Sequence, residues 1–101
     1  MDDVVALRRD LHQNPELGLD NPRTQAMVLA ALDGLPVDIR TGDGLTSVVA
    51  DLTGTTDGPT VLLRADTDAL PMTEDTDLDF RSAVDGRAHA CGHDAHTAML
   101  V

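Results

Sequence analysis

Apolar positions recur along the first third of the chain at helical spacing. Val4, Leu7 and Leu11 fall three and four residues apart, which predicts a helix over residues 2–13. Asp2 and Asp3 sit at its positive end, where carboxylates are favoured. Asn14-Pro15 stops it, because the residue before a proline is pushed out of helical backbone. A second helix is predicted over residues 21–33. Asn21 is its expected N-cap, Pro22 its first helical residue and Gly34 the stop beyond it. Ala26, Leu29, Ala30 and Asp33 follow one face, and Met27 and Val28 widen the apolar stripe.

Beyond Gly34 the rhythm changes. A short strand is expected at 36–39, Gly42-Asp43-Gly44 reads as a turn, and two better strands are predicted at 47–52 and 60–65. Val61-Leu62-Leu63 is a continuous apolar run, the mark of a strand buried on both faces. Residues 66–71 then lie just past that strand's C-terminal end. Residues 72–88 are acidic and irregular, and Phe80 is their one aromatic. A last helix is expected from Asp94, as its N-cap, running into Met99, Leu100 and Val101 at the end of the chain. Two helices, then strands, then a further helix make a chain of mixed helix and strand. The closing apolar helix, with nothing after it to cover it, implies that residues 1–101 are a portion of a larger domain.

Composition sharpens that reading. One Phe with no Tyr or Trp leaves a core of Leu, Val, Ala and Met, which is weak for a chain of 101 residues. Acidic residues outnumber basic ones 18 to 7, a formal net charge of −11. A polyanion of this kind is repelled by nucleic acid phosphates and anionic lipid, so neither is expected as a partner. No stretch approaches the roughly 20 apolar residues of a membrane span, and the first residues lack the layout of a signal peptide, so the cytoplasm is the expected compartment. A single cysteine rules out an internal disulfide framework.

Three segments carry candidate chemistry. The densest is His89-Ala90-Cys91-Gly92-His93-Asp94-Ala95-His96, with three of the four histidines and the only cysteine. Thiolate and imidazole are preferred ligands of zinc and similar ions. Cys91 and His93, separated by Gly92, point the same way if the backbone is extended, and a helix N-terminus just after them favours a thiolate. His93 would then need an acceptor to fix its other ring nitrogen. The same run also fits a solvated loop around a buried cysteine, and two or three ligands do not complete a site. The second segment is Arg64-Ala65-Asp66-Thr67-Asp68-Ala69-Leu70-Pro71. Carboxylates past the end of a buried strand sit where open α/β sheets place their sites, so Asp66 or Asp68 could orient a metal-bound histidine or pair with Arg64. With sixteen aspartates in the chain, such a pair also arises from composition alone. In the third segment, 9–16, the expectation is that Arg9, Asp10 and His12 are solvated helix positions.

Together RRDLHQNPELG, LLRADTDALP and HACGHDAHTAML resemble the signature stretches of the M20 metallopeptidase superfamily, in its amidohydrolase branch of hippurate hydrolases, N-acyl-amino-acid amidohydrolases and auxin-conjugate hydrolases. The order matches, and the resemblance runs over essentially the whole chain. It implies the N-terminal portion of a zinc-peptidase-like α/β catalytic domain, without the smaller lid domain used for dimerisation. It implies hydrolysis of the amide of an N-acyl amino acid or related conjugate, two divalent metal ions (manganese or zinc) and a homodimer at full length. Cys91 and His93 then match the metal ligands, Asp66 matches the motif carboxylate near the metal centre and takes a catalytic role, and Asp94 and His96 take supporting ones. Arg64 stands where many M20 peptidases carry a metal-binding histidine, as in the amidohydrolase branch, so it is not a ligand. The family's Glu base and its further histidine ligands follow the cysteine motif and have no counterpart here. Glu16 and Glu74 are the only glutamates and match neither. The 101-residue chain is therefore expected to be inactive alone. The competing expectations are a small standalone Cys/His metal-binding module and a non-catalytic product of a truncated gene.

Overall fold

The computed structural model describes residues 2–101. Its elements are helix α1 (Asp2–Gln13), helix α2 (Pro22–Leu32), strands β1 (Asp38–Thr41) and β2 (Val48–Asp51), and helix α3 (His93–Leu100). The helices lie close to where apolar spacing places them. The arrangement is α/β, as expected.

α1 ends at the predicted place, and the Asn14 side chain folds back to donate to the Asp10 carbonyl and carboxylate at 2.9 and 3.0 Å. α2 begins differently from the expectation. Asn21 occupies the N-cap position but makes no capping bond. Its amide instead donates to the Gly18 carbonyl and to Thr67 Oγ1, at 3.0 and 3.1 Å. The cap comes from Glu16, whose carboxylate accepts from the backbone N–H groups of Arg23 (3.1 Å) and Thr24 (2.6 Å). Those are two of the donors a helix start leaves without an internal partner. A carboxylate there also faces the positive end of the helix dipole. The buried side of α2 is Thr24 and Val28, one turn apart, while Ala26 and Ala30 are exposed, so the packed face is rotated from the expected one. The C-terminal stop is as predicted, with Gly34 at φ 79°, in the left-handed region.

β1 and β2 form an antiparallel hairpin in which Asp38 faces Asp51, Ile39 faces Ala50, Arg40 faces Val49 and Thr41 faces Val48. The expected strand at 60–65 corrects most sharply. Val61, Leu62 and Leu63 pair with no strand among the described residues, and they are 79, 83 and 71 % exposed rather than buried. An apolar strand is buried only if neighbouring strands and covering layers exist, and none of the described residues supplies them. The irregular segment 72–88 is closed at its ends by an antiparallel bridge in which Leu70 and Ala88 exchange backbone hydrogen bonds of 2.9 and 3.0 Å.

The core is small and unusually polar. Leu11, Val28, Ala69, Ala88 and Ala98 are buried together with His12, Asn21, Thr24, His89, Asp94 and Thr97. α1 packs on α3, and the segment 66–70 is threaded between that pair and the α1–α2 connection. Among the described residues no helix is long and apolar enough to cross a membrane.

Candidate metal centre

Along residues 66–69 the hydrogen-bond partners alternate between two sides. The even positions belong to α3. Thr97 Oγ1 donates to the Asp66 carbonyl at 2.9 Å, and His93 Nδ1 donates to both the carbonyl and the carboxylate of Asp68, at 2.8 and 3.1 Å. The odd positions belong to the α1–α2 connection. Thr67 Oγ1 accepts from Asn21, and the Ala69 N–H donates to the Glu16 carbonyl at 2.7 Å.

The His93 bonds decide which nitrogen is free. Both partners of Nδ1 are acceptors, so Nδ1 carries the proton and Nε2 presents its lone pair. Nε2 lies 4.0 Å from Asp66 Oδ2. The other Asp66 oxygen is held by Arg64 at 2.6 Å. Asp66, Asp68 and His93 each offer a ligand atom, and these atoms lie within 4.8 Å of one another. An imidazole whose second nitrogen is bound by a carboxylate and a carbonyl, beside a half-buried carboxylate, is a donor set that fits a divalent cation. Asp68 thus takes the orienting role that its position past residues 60–65 made available.

The other expected residues fall around this cluster. Cys91 is exposed with a free thiol and is not among the three clustered ligand atoms. The backbone between Cys91 and His93 is not extended, because Gly92 stands at φ 114° as the N-cap of α3. That conformation is open to glycine and strained for a residue with a side chain. It replaces Asp94 as the cap and puts Asp94 inside the first turn. His96 is exposed, and its ring lies over Gly92.

Asp94 is 1 % exposed and looks away from the cluster, toward α1. Its Oδ2 accepts from His12 Nδ1 at 2.7 Å, and Arg8 Nε lies 2.9 Å from the same oxygen. His12 Nε2 donates to Glu74 Oε1 at 2.8 Å. Glu74 also accepts from the Ser82 N–H at 2.9 Å and from the Thr76 hydroxyl. Phe80 closes the group, edge-on to His12 with ring centroids 5.5 Å apart, and with the Arg8 and Arg9 guanidiniums 5.2 and 4.8 Å from its ring centre. His12 is therefore no solvated helix position. It is 5 % exposed and bridges two carboxylates. Its helical spacing from Arg8 put it on the α1 face that meets α3, but a partner 82 residues away leaves no local signal.

Electrostatics follow from these contacts. Burial alone would raise the Asp94 carboxyl, but the His12 hydrogen bond, the Ala95 N–H and the Arg8 charge outweigh it and hold it below the usual range. Glu74 is likewise held low. Burial opposes, while Thr76, Ser82 and His12 prevail. Burial pushes the His89 imidazole down, with Asp94 pulling the other way. Neither His89 ring nitrogen has a partner among the described residues.

Known proteins share this sequence and fold. Residues 62–101 match peptidase family M20/M25/M40. Thermostable carboxypeptidase 1 of Saccharolobus solfataricus is 48 % identical over 99 residues, 97 % of this chain and 25 % of that protein. N-acetylcysteine deacetylase of Bacillus subtilis is 43 % identical over 99 residues, 97 % of this chain and 26 % of that protein. The crystal structure of Bacillus subtilis YXEP, described as a dinuclear metal binding peptidase of the M20 family, superposes with a TM-score of 0.87 at 44 % identity, over 94 % of this chain and 27 % of that one. The chain thus spans about a quarter of the length of the relatives it matches. On the matched motifs, the sequence identity and the shared fold, the chain resembles the N-terminal quarter of M20 family peptidases.

Proposed function

We propose that this chain is the N-terminal portion of the catalytic domain of a metal-dependent amidohydrolase that cleaves the linear amide of N-acyl amino acids, hippurate-like conjugates among them. The observation that carries the reading is the free Nε2 of His93, held toward Asp66 because Nδ1 is spent on Asp68. Two divalent ions, manganese or zinc, complete the proposed centre, with His93 and Cys91 as ligands and Asp66 as the nearby carboxylate. A cation held there supplies Lewis acidity toward an amide carbonyl. Asp68 fixes the imidazole tautomer, Arg64 fixes one Asp66 oxygen, and Asp94 and His96 support the start of α3. The whole protein is proposed to act as a homodimer on a small-molecule substrate.

The 101-residue chain alone is proposed to be inactive. Its two glutamates are both committed elsewhere, Glu16 to the start of α2 and Glu74 to His12, so neither is free to take a proton from water. The test compares the 101-residue chain with the protein as its source produces it, against a panel of N-acyl amino acids with manganese or zinc added. Metal-dependent release of free amino acid by the source protein, lost in Asp66→Asn and absent from the 101-residue chain, is the expected outcome. Hydrolysis by the 101-residue chain, or none by the source protein on any N-acyl amino acid, overturns the reading.

A further inference from the structure

We propose that His12 is a positioning residue of the metal centre, acting through Asp94 on the adjacent His93. This rests on the reading of His93 as a ligand. The argument begins with donors. A carboxylate only accepts, and His12 faces one at each ring nitrogen, Asp94 Oδ2 at 2.7 Å and Glu74 Oε1 at 2.8 Å. Both nitrogens therefore donate, and His12 ties the first turn of α3 to the segment 72–88 across α1. Burial of all three side chains makes the bonds strong and their loss costly.

The path to the ligand is one residue long. His93 opens α3 after the left-handed Gly92, and among the described residues Asp94 is the side chain of that turn bonded to α1. With Asp94 pinned, the His93 backbone is fixed on one side and its ring is fixed by Asp68 on the other. Without His12, the buried Asp94 carboxylate keeps the Arg8 charge and the Ala95 N–H, and the turn carrying His93 loses one of its two ties to α1.

The experiment titrates cobalt(II) into the metal-free protein as its source produces it and follows its visible absorption. His12→Gln, which presents a single amide donor group, is expected to weaken binding about tenfold, the low end of what residues behind a ligand contribute, and to shift the band positions. Arg40→Ala, on the remote hairpin, is expected to change neither. Wild-type affinity and spectrum in His12→Gln overturn the proposal. His93→Ala separates the two readings: if it binds cobalt(II) as the wild type does, the metal centre itself falls, whereas its failure to bind beside an unaffected His12→Gln removes only the role of His12. Should His12→Gln lose its far-UV helical signal, nitrogen-15 spectra of the unaltered chain decide. A direct hydrogen-bond coupling between the His12 Nδ1–H and the Asp94 carboxylate supports the clamp, and its absence overturns it.

Discussion

The two ends of the segment 60–70 behave oppositely. From Asp66 to Ala69 each residue has a named partner on α3 or on the α1–α2 connection. From Val61 to Leu63, three of the most hydrophobic consecutive residues in the chain are exposed and unpaired. Hydrophobicity therefore does not mark where this chain is held together. Polar groups do, because α1, α3 and the segment between them meet through bonds that fix direction, while the apolar run has nothing among the described residues to bury against.

The strongest test of that contrast pairs Asp94→Ala with Leu62→Ser. Removing one partner of a buried ion pair strands the others, so Asp94→Ala is expected to cost about 3–5 kcal/mol in urea unfolding. Leu62→Ser alters an exposed side chain and is expected to stay within about 0.5 kcal/mol. A large loss at Leu62 would show that the run is buried in solution and would erase the distinction. A smaller effect sharpens it: Glu16→Ala removes the cap of α2 and is expected to cost about 1 kcal/mol by thermal unfolding. Asn21→Ala, at the formal cap position, should then act through the lost Gly18 and Thr67 bonds and leave the helix start intact by hydrogen exchange at Arg23 and Thr24.

The smallest effect concerns pH. Glu74 is held below its ordinary value of 4.5 in the folded chain, so the unfolded chain binds the proton more readily. Its contribution is complete above that value and is lost as pH falls toward the folded one. Stability should therefore decline on acidification below about 4.5, and Glu74→Gln should flatten that part of the curve. A variant with an unchanged slope would place the acid sensitivity elsewhere.

The sequence made the local features legible and hid the distant ones. α1 and the stop of α2 at Gly34 follow from spacing, proline and glycine, which act within a few residues. Ligand chemistry singled out His93 as a candidate, and the family resemblance singled out Asp66. What stayed hidden was contact between residues far apart. His12 looked solvated because Asp94 and Glu74 lie 82 and 62 residues away. Asp94 looked like a cap because aspartate commonly is one, yet Gly92 provides the turn and frees Asp94 for α1. Residues 60–65 looked buried because their composition suits a central strand, and composition cannot say whether neighbours are present.

The alternation along 66–69 has a consequence for variation in this protein. Insertion or deletion of one residue between Arg64 and Ala69 would exchange the sides of the segment, offering Thr67 to His93 and Asp68 to Asn21. Length here is as constrained as identity. Related chains should tolerate substitution at Thr67 far more readily than any change in the count of residues from Asp66 to the Leu70–Ala88 bridge, a prohibition on sliding that one-residue differences in the loop 42–47 would not meet.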